Sequence, residues 1–207
     1  MPPSSAQAFS ASSRRQAVVF AALAALMIAT RVHHFGNALH LPDASMAVFF
    51  LAGLSLQGQA GGMRSHLPFF GLVTLAGVVD WASITYAGVS DFCVTVTYSF
   101  LLPAYAVLWY GGRWAARRFG TDATGMAARA GVALASAAGS FLISNGAFYW
   151  FGGRYPDPHL AQYLERLWQW GPLFVKTTMA YVLVALVLHA LALALTRTRL
   201  FGRAAGA

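Results

Sequence analysis

The residue with the most distinctive chemistry is Cys93, the only cysteine among 207 residues. A lone thiol has no partner within its own chain, so an intramolecular disulfide and a C-x-x-C redox pair are both excluded. Cys93 stands in the run D-F-C-V-T-V-T-Y, a short polar gap between two apolar blocks. Three roles remain open for it: an inert packed thiol, a reactive nucleophile, or a ligand for a soft metal.

Asp80 lies inside an apolar block, roughly 12 Å below the end of the helix that the block predicts. An ionisable group at that depth is costly unless it faces a wet cavity or the bundle interior. Asp80 therefore marks either a functional site or a hydrogen bond that holds two helices together. Tyr98 follows Cys93 by five residues. The two lie on different faces of a helix that already includes Cys93, but can line one pocket if the helix begins later.

Three imidazoles follow the first apolar block, at His33, His34 and His40. Imidazole, like thiolate, suits borderline and soft metals, although a solvated loop histidine without such a role is the commoner case. We favour His40 as a site residue because it adjoins the turn L-P-D, where the chain is constrained.

The segment P-D-P-H-L-A-Q-Y-L-E-R-L-W-Q-W-G-P predicts a short amphipathic outer helix. A helix start is indicated by its aspartate and second proline. Its apolar face consists of Leu160, Tyr163, Leu164, Leu167 and Trp168. Arg166 lies on the other face, either as a solvated interfacial arginine or as a donor to an amide, carboxylate or phosphate. We expect this helix to lie over the outer surface as a lid, with Trp168 and Trp170 beside a pocket.

Composition determines the class of element that positions these residues. Some 58% of residues are apolar and 10% are charged, which indicates an integral membrane protein. Six blocks approach the roughly 20 apolar residues that a membrane-spanning helix needs. They lie near 16–33, 43–58, 67–87, 94–112, 125–151 and 172–196. We predict an all-α protein: one six-helix transmembrane domain over 13–200, a disordered cytoplasmic tail at 1–12 and a second tail at 201–207.

The net charge of +8 reflects orientation rather than nucleic-acid binding, because the basic residues cluster at the ends of apolar blocks. Ten arginines fall on one side of the six-helix path: Arg14, Arg15, Arg64, Arg113, Arg117, Arg118, Arg129, Arg197, Arg199 and Arg203. That side is expected to be cytoplasmic, with both termini inside and Cys93 outside. Two arginines before the first block also suit a cleavable export signal, but no small-x-small cleavage site follows.

The first helix carries a face of small residues at Ala17, Ala21, Ala25 and Ala29. In lipid, such faces let two helices approach closely. The face is expected to pack either against this chain's other helices or against a partner.

Two runs resemble the BtuM family of cobalamin (vitamin B12) transporters, which are related to the S-components of energy-coupling-factor (ECF) transporters. They are H-F-G-N-A-L-H-L-P-D-A-S-M-A-V-F-F-L-A-G and D-F-C-V-T-V-T-Y-S-F-L-L-P-A-Y-A-V-L-W. The resemblance implies an S-component-like bundle in the bacterial inner membrane. It also implies that Cys93 coordinates the cobalt of cobalamin and that Asp80, Tyr98, Arg166 and a histidine, which we assign to His40, are site residues.

The function expected from this resemblance is high-affinity binding and uptake of cobalamin. The lower base would be displaced by the cysteine, and the same coordination would favour removal of cyanide from cyanocobalamin. The alanine face would meet an ECF coupling subunit and its ATPases, since this chain lacks a G-x-x-x-x-G-K-[ST] phosphate loop. The alternatives are a thiol-dependent membrane enzyme and a cobalt or nickel ion permease.

Overall fold

The structure is a computed structural model that describes residues 5–32, 41–56 and 63–204, and the side chains of 12–32, 41–56 and 63–196. Within these ranges the regular structure is entirely helical, as predicted. The helices are α1 (Ser5–Arg31), α2 (Ser45–Ser55), α3 (Leu67–Ala87), α4 (Leu101–Arg118), α5 (Ala123–Phe151) and α6 (Leu160–Ala204). Two 3-10 turns, Met63–His66 and Val96–Phe100, precede α3 and α4.

Four helices of the described chain are long and apolar enough to cross a membrane. The stretches are Ser12–Arg31, Met63–Ala87, Ala123–Phe151 and Leu160–Thr196. α2 has 11 residues and rises only about 16 Å, roughly half of a hydrocarbon layer. The first half of α4 is apolar, whereas its second half carries three arginines.

The short helix α2 occupies the centre of the bundle, where it contacts all five other helices. Ala47, Val48, Phe49 and Phe50 are fully buried. The ring of Phe49 stacks on Tyr105 of α4 with a centroid distance of 4.1 Å. Because α2 is enclosed by protein on every side, its apolar sequence reflects a packed core as much as a membrane.

Close contact between α2 and α4 depends on one glycine from each helix. A Cβ at Gly53 would meet the backbone of Trp109, and a Cβ at Gly112 would meet the backbone of Phe50. Neither backbone can yield without separating the two helices, so these positions have no room for a side chain.

Gly112→Ala is therefore expected to lower the free energy of unfolding by roughly 1–3 kcal/mol, the usual cost of overpacking a core. The measurement is thermal unfolding of the purified protein in detergent. The matched control is Gly131→Ala in α5, where an added Cβ meets nothing within 4 Å. An equal loss of stability in both variants would contradict the close-packing account.

The alanine face of α1 points away from the bundle. Ala17, Ala21, Ala25 and Ala29 are all exposed, whereas Met27 on the opposite face is fully buried. Of the two alternatives for this face, packing against the chain's other described helices is thus wrong.

Helix boundaries differ from the prediction at three places. α1 begins at Ser5, inside the segment expected to be a disordered tail, and α6 continues to Ala204. The first of these stretches is rich in alanine, the strongest helix former. α4 begins at Leu101 rather than near residue 94, because the hydroxyl of Thr95 accepts a hydrogen bond from the backbone N–H of Thr97 and starts a 3-10 turn instead.

The predicted separate outer helix is the first part of α6, which runs without interruption through Pro172. The face directed into the bundle also differs from the prediction. Trp168, predicted beside the pocket, is 82% exposed and Leu164 is 55% exposed, while Arg166 lines the interior together with Trp170, for which that position was predicted. This outward position of apolar side chains is typical of helices surrounded by lipid rather than water, and α6 is one of the four helices apolar enough to cross a membrane.

Candidate functional site

A cavity of about 460 Å³ opens at the end of the bundle where α1 finishes and α2 begins. Aromatic side chains from α5 and α6 form much of its wall, including Phe141, Phe148, Trp170 and Phe174. A mostly apolar cavity of this size with a few polar groups is typical of a small-molecule site.

Four of the five side chains predicted for the site lie in the wall of this one cavity: Asp80, Cys93, Tyr98 and Arg166. Cys93 and Tyr98 reach it together because α4 begins after both of them. This is the arrangement expected for a late helix start. His40 lies outside the described residues, as do His33 and His34.

The floor of the cavity is organised by Arg31, the last residue of α1, whose side chain is 3% exposed. Its Nε and Nη2 donate to the two carboxylate oxygens of Asp80, each at 2.7 Å. Its Nη1 donates to Ser45 Oγ at 2.8 Å and to the Tyr105 hydroxyl at 2.9 Å. One guanidinium thus joins α1, α2, α3 and α4 through a two-pronged ion pair and two hydrogen bonds.

A second carboxylate supports the start of α2 beside the same guanidinium. Asp43 Oδ1 accepts from the backbone N–H of Ser45 at 2.8 Å and from its hydroxyl at 2.6 Å. Asp43 Oδ2 lies 3.6 Å from Arg31 Nη1. Arg31 is therefore flanked by two acidic groups, which satisfies a charge that could not otherwise be buried.

Asp80 is committed to contacts within the protein. Besides Arg31, its Oδ2 accepts a hydrogen bond from the Tyr98 hydroxyl. Asp80 thus holds helices together through hydrogen bonds, which is one of the two roles expected for it, and it also borders the cavity. The hydrogen bond from Tyr98 to Asp80 holds the 3-10 turn against α1 and α3.

Cys93 lies between α3 and the 3-10 turn, with its side chain exposed at the cavity. Partial burial by the surrounding wall raises the pKa of its thiol, the positive charges of Arg154 and Arg166 oppose that rise, and the charge of Asp80 adds to it. The net direction is upward, so near neutral pH the group is mainly a thiol.

Alkylation of Cys93 by iodoacetamide is consequently expected to be slow at neutral pH. Because the thiolate is the nucleophile, the rate should rise about tenfold per pH unit up to a midpoint above that of an exposed cysteine. A pH titration of the alkylation rate in the purified protein measures this, with a short cysteine peptide as the reference. A midpoint at or below that of the peptide would contradict the described surroundings of the thiol.

Two buried polar atoms in the cavity wall, Asn145 Oδ1 and Arg166 Nε, have no hydrogen-bond partner among the residues that the structure describes. The guanidinium of Arg166 stands 4.9 Å over the Tyr155 ring, which orients it. An unpaired acceptor and an unpaired donor in one cavity are costly unless a ligand completes them.

Sequence reasoning missed two residues of this site. No role in the site was predicted for Arg31, although an intramembrane carboxylate calls for a partner and Arg31 is the basic residue at the same end of a neighbouring helix. Asn145 gave no signal because it lies in a long apolar block whose rotation about its axis the sequence does not specify.

Within the described residues, no three His, Cys, Asp or Glu side chains lie close enough together to hold a metal ion. No histidine is among the residues that line the cavity there. The chain matches no protein-family model, and no curated protein is significantly similar to it.

Proposed function

We propose that this protein binds cobalamin in the described cavity and takes part in its uptake across the bacterial inner membrane. The observation that carries the proposal is the combination in one cavity wall of an accessible thiol, Cys93, with unpaired groups on Arg166 and Asn145. A thiol suits cobalt, and an unpaired donor and acceptor suit the amide side chains and phosphate of a corrinoid with its nucleotide loop.

The proposal includes six membrane crossings, as in the S-component-like bundle that the sequence resembles. The short α2 would cross as a protein-enclosed helix, which membranes tolerate when the polar backbone is shielded. Both termini would be cytoplasmic, and the cavity would face outward. The basic second half of α4 lies at the opposite end from Cys93 and supports this orientation.

In the proposed mechanism, the Cys93 sulfur displaces the lower benzimidazole of cobalamin and takes its axial position. The thiol gives up its proton to solvent at the open cavity, and the sulfur donates an electron pair to Co(III). With cyanocobalamin, stronger donation from sulfur would weaken the opposite bond, so that cyanide leaves with its own electron pair and cobalt stays Co(III). No oxidant or reductant is needed for this exchange.

The cavity wall divides the remaining tasks. Arg166 would donate to an oxygen of the ligand, and Tyr98, held by Asp80 and Arg31, would shape the floor below the corrin ring. Phe148 and Trp170 offer apolar area to the ring itself. A thiol-dependent enzyme is less well supported, because the two carboxylates of the described cavity wall, Asp43 and Asp80, are paired with Arg31 rather than with Cys93.

A partner would supply the energy for release into the cell. The exposed alanine face of α1 offers the close-approach surface that a coupling subunit of an ECF module would need. The same helix ends at Arg31 in the cavity floor. If the partner moved α1, Arg31 and the residues that it binds would therefore move with it.

Arg166→Gln tests the ligand-binding role. Losing a charged donor to a ligand oxygen is expected to raise the Kd for cyanocobalamin by about ten- to a hundredfold. Equilibrium titration of the purified protein gives the Kd, with Arg118→Gln as the control, because Arg118 is exposed at the far end of α4. An unchanged Kd in Arg166→Gln would remove this residue from the site.

A further inference from the structure

The segment that carries Cys93 is held from outside by Arg154, a residue of the loop between α5 and α6. The Nε of Arg154 donates to the backbone carbonyl of Phe92 at 3.1 Å. Its guanidinium also stands over the Phe92 ring, 5.0 Å from the centroid. One side chain thus grips both the backbone and the side chain of the residue that precedes Cys93.

The hydrogen bond from Arg154 to Phe92 also restrains Cys93, because the peptide bond between Phe92 and Cys93 is planar. The carbonyl of Phe92 lies in one plane with the nitrogen and the Cα of Cys93. A hydrogen bond that fixes this oxygen therefore limits where the Cα of Cys93 can lie. The thiol can still rotate about its own side-chain bond.

The contacts within the segment itself are short-range. Val94 N donates to Asp91 O at 2.8 Å, and Phe92 N donates to Ser90 Oγ at 3.2 Å. These bonds shape the turn but do not attach it to the bundle. Two contacts of Phe92 attach the turn to the bundle. One is with Arg154 in the loop after α5, and the other is the edge-to-face contact of the Phe92 ring with Phe148 of α5.

The backbone after α5 places Arg154 for this contact. Gly153 has φ 69°, a left-handed conformation that other residues adopt only with strain. No atom lies within 4 Å of the position that its Cβ would take. A substitution at Gly153 would thus disturb the turn through its backbone conformation, without a steric clash and without changing any charge.

We propose that Arg154 is the positioning residue of Cys93: it clamps the 91–94 segment to the α5–α6 loop and so holds the thiol at the cavity. The use of this clamp in cobalt binding rests on the proposed function, because the thiol is held where a cobalt ligand would be needed. The clamp itself is present in the protein without any ligand.

The test uses the single cysteine directly. A methanethiosulfonate nitroxide is attached to Cys93 of the full-length protein, and its motion is measured by electron paramagnetic resonance. Arg154→Gln is expected to lose the immobilised component of the spectrum. Arg154→Lys should retain it, because an ammonium group can still donate to the carbonyl and stand over the ring. Arg118→Gln, with the same loss of charge at the far end of α4, is the control.

An immobilised component of equal size in Arg154→Gln and in the wild type would overturn the proposal, as would an equal loss in Arg118→Gln. If Arg154→Gln does not elute as a folded protein, Gly153→Ala replaces it, and an unchanged label spectrum in that variant overturns the proposal too. A second arm adds cyanocobalamin to unlabelled protein, where Arg154→Gln should reduce the fraction with an altered visible spectrum and Arg154→Lys should restore it. If wild-type protein leaves the visible spectrum of cyanocobalamin unaltered, the proposed function fails. The motion of the nitroxide label still tests the clamp in that case.

Discussion

Cys93→Ala is expected to abolish the change that binding produces in the visible spectrum of cyanocobalamin, and to weaken binding by roughly a hundredfold, or about 2.7 kcal/mol. The spectrum of a corrinoid responds to its axial ligands, and the proposed ligand is the sulfur of Cys93. Removing it leaves the apolar wall, Asn145 and Arg166 to hold the corrinoid, so residual binding without the spectral change is the expected outcome.

Cys93→Ser is the matched control for this experiment. A hydroxyl has nearly the size of a thiol but is a hard and weakly acidic donor, so it should not restore the spectral change. Both variants should elute and unfold as the wild type does, because the side chain is exposed and contributes little to the core. A spectral change that survives in Cys93→Ala would show that another group binds the cobalt.

Asp80→Ala is expected to produce the largest loss of stability. It would leave the guanidinium of Arg31, whose side chain is 3% exposed, without its principal counter-charge, which costs about 3–5 kcal/mol for a buried pair. Tyr98 would lose its acceptor at the same time. Thermal unfolding in detergent should show the loss, together with a fall in the yield of folded protein.

Asp91→Asn controls for the removal of an acidic charge near the same cavity, since Asp91 is exposed. The double variant Arg31→Met/Asp80→Leu removes both members of the pair and should be more stable than Asp80→Ala, because the guanidinium is then gone and the remaining carboxylate, Asp43, is 16% exposed and still accepts two hydrogen bonds from Ser45. If Asp80→Ala unfolds at the wild-type temperature, the ion pair does not organise the cavity floor.

The start of α4 near residue 94 was wrongly predicted, yet the cause of its later start is local. It lies in T-V-T, where a threonine hydroxyl competes for the first backbone N–H groups, and this start places Cys93 and Tyr98 in one wall. The helical class followed from the long apolar blocks. Such signals depend on neighbours within a few positions, and a single sequence displays them directly.

Features that depend on the third dimension were not predictable. The pairing of Arg31 with Asp80 spans 49 positions, and nothing local distinguishes a buried arginine at a helix end from an orientation charge. The outward position of Trp168 depends on what surrounds α6, because a membrane rewards the exposure of apolar groups that water would penalise. The central place of α2 likewise depends on five neighbours that its own 11 residues do not specify.

The central claim, a bond between the Cys93 sulfur and cobalt, is tested most directly by X-ray absorption at the cobalt edge of the purified complex with cyanocobalamin. The proposed function predicts one sulfur atom in the first coordination shell of wild-type protein and none in Cys93→Ala. A first shell of nitrogen, carbon and oxygen alone in the wild-type complex would contradict it.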